Sequence, residues 1–281
     1  MPSPQAYLQK NKDLPISFVR SWAAGRKLRD QFDEIETYCM FIGYPRSGHS
    51  LAGSLLDAHP QAVISHELDA LRYFRTGFSR DQVFALILEN ERRYAAKGRS
   101  WGAYDYEVPH QWQGRFERLR VIGDKKGGRS TRRMMTSPRL AERVRRSVGV
   151  PVRYVHVTRN PYDNIATMLA KKREGATLAA TIEEYFMLCA GVAETKAAAG
   201  HDAILDLRHE SLIDDPVATL GRLCAFLGLL ADEAYLADCA SILFPAPRQT
   251  RQSAPWTPAL IDQVGQRITG FAFLDGYCFG S

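Results

Sequence analysis

The chain reads as an α/β protein: a single P-loop-like domain with a central parallel sheet of about five strands flanked by helices. Three observations predict this. Short apolar runs alternate with stretches of helical apolar spacing, the pattern of strand–helix–strand units. The runs end in polar turns, two of them glycine-bearing, as strands of an open sheet do at their ligand-facing ends. A chain of 281 residues, 45% of them hydrophobic, is enough for one large core. Residues 1–37 are polar and read as an N-terminal helical or irregular extension, with a helix over Arg20–Phe32; residues 38–281 read as the domain.

The first element is the most informative. Tyr38–Ile42 is an apolar run short enough for a buried strand. Gly43-Tyr-Pro-Arg-Ser-Gly48 is a polar turn, and from His49 the apolar residues Leu51, Leu55 and Leu56 fall at helical spacing. Strand, glycine turn and helix N-terminus together make an anion cradle, because turn amides and the helix dipole point at one spot. Two glycines enclose four residues, as in the nucleotide P-loop, but His49 stands where that loop has its lysine. The nearest fixed cation is Arg46; Ser47, Gly48, His49, Ser50 and Leu51 supply the remaining donors.

Further along, Ala62–Ile64 predicts a second strand, running into Ser65-His66-Glu67. Asp81–Lys97 has an amphipathic helical pattern. Trp101–Trp112 is aromatic, polar and interrupted by Pro109; it reads as a long surface loop, either a binding element or a loop with its aromatics tucked onto the domain. Leu119–Gly123 predicts a third strand, followed by Asp124-Lys125-Lys126. The arginines between Arg129 and Arg146 suit a solvated helix face.

Val152–Val157 predicts a fourth strand. Asn160 is a good N-cap after it, Pro161 suits the first helical position, and Asp163, Thr167 and Lys171 share one helix face. Arg159, Thr167 and Lys171 could then converge on a second anion; the plainer alternative is capping plus an Asp163–Lys171 ion pair. Ala203–Leu207 predicts the fifth strand. Asp215-Pro216 starts a helix with Val217, Leu220, Leu223, Cys224 and Leu227 on its core face. Pro245–Trp256 is a loop, Thr257-Pro258 caps a last helix, and the tail from Phe271 is apolar enough to dock. Arg46, Glu67, Lys125 and Arg159 all follow strands, so they are expected to gather on one sheet edge.

The net charge of +6 fits an anionic ligand. Nucleic acid is not expected as a partner, since no aromatic-basic RNA motif or Cys/His finger is present. No residues have metal-ligand spacing, so no metal is expected. Five cysteines without paired spacing, no secretory leader and no bilayer-length apolar run lead to the expectation of a cytoplasmic protein without a transmembrane segment.

Two anion sites in one chain carry a family resemblance. The segment from Arg159 to Thr167 resembles the 3′-phosphate motif of sulfotransferases that use 3′-phosphoadenosine 5′-phosphosulfate (PAPS), with an Arg at a strand end and a hydroxyl eight positions later. YPRSGHSL resembles that family's 5′-phosphosulfate loop, with His49 in place of a usual hydroxyl. LRHESLIDDPVATLGRLCAFLGL resembles the segment after the last core strand in the carbohydrate and protein-tyrosine branches, with His209 where a Tyr packs near the adenine. The resemblance runs from about Tyr38 to Tyr277.

It implies in-line sulfuryl transfer from PAPS to an acceptor hydroxyl by a general base, with no metal. Glu67 is implied as the base, 21 positions after Arg46 as in tyrosylprotein sulfotransferases; His66 is its rival. Lys125 is implied at the leaving oxygen, with Lys126 one register step away. Arg248 and Arg251 are implied to close over the 3′-phosphate, and Trp101, Tyr104, Tyr106 and Trp112 are candidates for the pocket of a small-molecule or glycan acceptor. Two other readings stay open: a P-loop kinase or NTPase, and a non-catalytic nucleotide binder on the same fold.

Overall fold

The structure is a computed structural model that describes residues 13–101 and 104–280, without the side chain of Trp101. The five apolar runs form five strands of one sheet: β1 (Thr37–Ile42), β2 (Ala62–His66), β5 (Val121–Lys125), β6 (Val152–Thr158) and β7 (Ile204–Arg208). Their order is β2-β5-β1-β6-β7, and every neighbouring pair is parallel. β1 is buried along its whole length, as a central strand covered on both faces must be, and its unbroken apolar run reflects that. The chain leaves β1 toward β2 and later returns to β1's other side with β6. Ligands of open sheets sit where the strand order turns in this way.

One face of the sheet is covered by the helix Arg80–Ala95, which packs Val83, Phe84 and Ile87 against Tyr38, Met40 and Ile122. Its start is a capping box, Ser79 with Gln82. The opposite face is covered by the helices His49–Asp57 and Pro216–Phe226 through Leu55, Leu56, Leu220 and Leu223. Val217, in the first turn of its helix, does not join that core; it is 49% exposed. A third cluster, around Tyr162, Ile182 and Tyr185, takes in the tail through Leu274.

The extension before β1 is helical from Leu14 to Lys27 and from Arg29 to Phe32, longer than the expected Arg20–Phe32. It is docked rather than loose: Gln82 donates to the Phe18 carbonyl at 3.0 Å, and Gly25 lies so close to Asp81 that a Cβ would meet backbone at 2.9 Å. The arginine-rich stretch is two helices, Gly128–Thr136 and Leu140–Val148. Trp101–Trp112 is not a plain loop. Ser100–Trp101 (β3) and Tyr104–Asp105 (β4) pair antiparallel, and Gln113 ties the rest down by donating to the carbonyls of Tyr106 (2.8 Å) and Ser54 (3.1 Å).

Candidate active site

The helix after β1 begins at His49, so the amides of His49 and Ser50 have no intrahelical acceptor, while those of Leu51 and Ala52 donate to the Gly48 carbonyl at 3.0 and 3.3 Å. Gly48, in the left-handed region (φ 98°), turns the chain into it. Any Cβ there would strike the His209 ring at 2.4 Å, so only glycine lets that ring close on the loop. Ser47 is fully buried, Arg46 is exposed, and Arg46 itself has φ 70°. The loop is braced from the next helix by Asn164, whose amide donates to the Pro45 carbonyl at 2.9 Å.

His49 is accounted for by its surroundings. Its Nδ1 lies 3.2 Å from Ser47 Oγ, and its ring fills the space beside Gly127, where a Cβ would be within 3.1 Å of three ring atoms. Burial, reinforced by the charges of Lys125 and Arg46, lowers its pKa to about 3, so the ring is neutral. It occupies the P-loop lysine's position without adding charge.

Lys125, the last residue of β5, reaches the same loop. Its side chain is 1% exposed, and its Nζ donates to Ser50 Oγ at 2.9 Å and to Glu67 Oε1 at 3.2 Å. Lys126 donates to the other Glu67 oxygen at 2.8 Å. Among the described residues, Lys125 touches the loop through Ser50 as well as Glu67, whereas the Lys126 ammonium contacts the carboxylate. Burial would raise the Glu67 pKa, but the two ammonium groups outweigh it and hold the carboxyl at about 2.

Glu67 sits at φ 58°, an uncommon conformation for a residue with a side chain. Neighbours on both sides hold it there. Glu91 accepts from the His66 amide at 2.7 Å, Asn90 donates to the His66 carbonyl at 2.9 Å, and Asp124 accepts from the amides of Leu68 (3.0 Å) and Ala70 (2.8 Å). His66 lies in β2 with its ring stacked on Tyr94, centroids 4.1 Å apart, and burial lowers its pKa to about 3. The lysines therefore meet Glu67, while His66 is built into the wall behind it.

The second cluster centres on Arg159. Asn160 caps the helix Pro161–Ala170 by accepting from the Tyr162 amide, as its sequence predicts. Arg159 is buried; its Nη1 lies 3.3 Å from Thr167 Oγ1 and 3.4 Å from the Arg46 carbonyl, so the two loops touch. Its Nη2 donates to the Arg248 carbonyl at 2.6 Å and to Thr250 Oγ1 at 3.3 Å. Thr250 also lies 2.8 Å from Thr167 Oγ1. Sequence reasoning missed Thr250 and Asn164; each is an ordinary polar residue whose role appears only once distant segments meet.

The other expected site residues divide. Lys171 is exposed at the C-cap of that helix, and neither it nor Asp163 pairs with the other. Asp163 pairs instead with Arg251, at 3.2 Å between side chains and 2.7 Å to its amide, and Arg251 also donates to the carbonyls of Cys278 and Phe279. The Arg251 guanidinium thus holds the tail. Arg248 is exposed, donates to Tyr104 Oη at 3.1 Å and lies over the rings of Phe244 and Tyr104. Tyr104 and Tyr106 stack at 6.0 Å, and the contacts of Tyr104 with Arg248 and Phe244 place β4 beside the late loop; Trp112 is half-buried with Arg115 over its ring. Trp101 lies outside the described side chains. His209 is half-buried against Gly48, and its Nδ1 is buried without a hydrogen-bond partner among the described residues.

Residues 151–233, which include the Arg159–Thr167 segment and His209, match the model described as the sulfotransferase family. The fold is that of solved sulfotransferases. STF1 from Mycobacterium tuberculosis superposes with a TM-score of 0.51 at 13% identity, covering 89% of this chain and 81% of that one. The sulfotransferase domain of the Synechococcus olefin synthase is 19% identical (TM-score 0.48, covering 81% and 83%). Mouse SULT7A1, solved with PAP, is 15% identical (TM-score 0.46, covering 88% and 89%). No curated protein matches by sequence. The second anion loop, Arg159–Thr167, thus lies within the segment that matches the family model, and the fold is shared with STF1. Among the described residues, no helix is long and apolar enough to cross a membrane.

Proposed function

We propose that the protein transfers the sulfuryl group of PAPS to a hydroxyl of an acceptor. The observation that carries this reading is the convergence of both clusters at the carboxyl ends of β1, β2, β5 and β6, with Arg159 touching the Arg46 carbonyl while Lys125 bridges Ser50 and Glu67. A donor with phosphates at both the 5′ and 3′ positions needs such a double clamp. The residues fit one: Arg46 is exposed, the His49 and Ser50 amides at the helix start lack intrahelical acceptors, and the His209 Nδ1, without a hydrogen-bond partner among the described residues, faces the loop. In this reading Arg46, Ser47, Gly48 and Ser50 hold the 5′-phosphosulfate, and Arg159, Thr167 and the neighbouring Arg248 hold the 3′-phosphate.

Chemistry of this kind asks the protein to position groups and to stabilise charge. Lys125 turns from Glu67 to the departing phosphate oxygen. That motion removes one of the two cations that make Glu67 a weak base, so the carboxylate gains basicity as the leaving group gains its counter-charge. Glu67 takes the acceptor's proton, the acceptor oxygen bonds to sulfur, and the electron pair of the broken S–O bond goes to the phosphate held by Lys125 and Arg46. His49 and His66 stay neutral and shape the cavity.

A thermal-shift titration tests the reading. Stabilisation by 3′-phosphoadenosine 5′-phosphate (PAP), weaker in Arg159→Ala, is expected; stabilisation by Mg-ATP and not by PAP would replace it with a P-loop NTPase.

A further inference from the structure

We infer that Lys126 and Arg129 form an anion-binding subsite for the acceptor, so that the protein sulfates hydroxyl compounds that already carry a carboxylate, sulfate or phosphate group near the reacting hydroxyl. This rests on the function proposed above and names its substrate class. Lys126 is the cation that the donor chemistry leaves unused. Among the described residues its ammonium contacts Glu67 Oε2 and not the loop, and its side chain is 17% exposed against 1% for Lys125.

Arg129 stands on the next turn, fixed to Lys126 by its amide, which donates to the Lys126 carbonyl at 3.2 Å. Its guanidinium approaches Asp69, two residues beyond Glu67, but only to 3.7 Å, and 48% of the side chain is exposed. Asp69 is already committed to Arg133, which grips both of its oxygens, with Nε at 2.6 Å. Arg129 is therefore a solvent-facing cation with a loosely held counter-ion, Asp69, two residues along the chain from the proposed base.

The charge balance during transfer sharpens the case. In the resting site Glu67 neutralises Lys126. When Glu67 takes the acceptor's proton it becomes neutral, Lys125 faces the phosphate, and Lys126 is left without a counter-charge. An anionic group on the acceptor, held by Arg129 and Lys126, supplies that counter-charge at the moment it is needed. A neutral acceptor leaves the Lys126 ammonium without that counter-charge.

The test uses PAP-saturated full-length protein and two matched pairs of hydroxyl compounds: 4-hydroxyphenylacetate with its methyl ester, and methyl glucuronide with its methyl ester. Binding is measured by calorimetry, and turnover with PAPS by mass gain. The expected result is at least tenfold tighter binding of the acid in one pair, with that preference reduced to threefold or less by Arg129→Gln and by Lys126→Gln. The PAP affinity of each variant, measured alongside, reports whether it is folded. Equal or weaker binding of the acid in both pairs, or a preference unchanged in both folded variants, would overturn the subsite. Failure of the wild-type protein to bind PAP would instead remove the donor reading on which it rests.

Discussion

The guanidinium of Arg159 donates to the main-chain carbonyl of Arg248 at 2.6 Å, so the second anion cluster is roofed by a loop almost ninety residues further on. That loop is held by Thr250, which contacts Arg159, Thr167 and the Asp163 carbonyl. Thr250→Val removes these bonds and keeps the shape. It is expected to weaken PAP binding about tenfold, the worth of one or two net hydrogen bonds, as read by calorimetry. An unchanged affinity would place the 3′-phosphate elsewhere.

Lys125 and Glu67 are in contact, so their contributions to rate should not add. Lys125→Ala is expected to lower kcat by roughly 10²–10³ and Glu67→Gln by about 10²–10⁴. The double variant should fall short of the product of the two, since each partner's loss already disables the pair. Single-turnover kinetics with PAPS and an accepted hydroxyl compound measure this; strict multiplicativity would speak against a shared role.

His49 gives a pH signature. Its folded pKa, about 3, lies below the ordinary value of 6.5. The unfolded chain therefore binds the proton first as pH falls, and the stability tied to the neutral ring is complete above pH 6.5 and lost toward pH 3. Asp124 works in the opposite sense between pH 3.8 and about 6, because burial raises its pKa. Comparing the wild type with His49→Gln isolates the histidine: their stability difference, from urea unfolding, should shift by up to about 1.4 kcal/mol per pH unit below pH 6.5. A pH-independent difference would mean that the ring is solvated.

Arg251 and Asp163 form a buried ion pair, each side chain 5% exposed. Arg251→Ala leaves the carboxylate buried and frees the carbonyls of Cys278 and Phe279. Such breaks cost about 3–5 kcal/mol. A clear fall in Tm is expected, larger than for Arg248→Ala, whose side chain is exposed. If Arg251→Ala instead kept its Tm and lost PAP affinity, the arginine would belong to the donor site.

The strands and both loops were legible in the sequence because each is written locally. Asn160-Pro161 caps a helix wherever it falls, and the fully apolar β1 run suits a strand covered on both sides. Partners across the fold were not legible. Arg251 lies in a basic, proline-rich loop, and nothing local announces its ion pair with Asp163, which takes the place of the alternative Asp163–Lys171 pair. The contact of Lys125 with Ser50 was not legible because it depends on β5 extending two residues past Gly123. The paired strands Ser100–Trp101 and Tyr104–Asp105 are too short for any periodicity to announce them.

The place of β1 in the middle of the sheet has a consequence for how the chain is made. β1 pairs only with β5 and β6, so from the synthesis of Thr37 until Val121 and then Val152 have followed, its two edges have nothing to bond. The nascent chain carries its most apolar strand unpaired through the assembly of nearly half the molecule. Such a segment favours association with other chains, and newly made protein should depend on holding chaperones and on slow synthesis more than its final stability suggests.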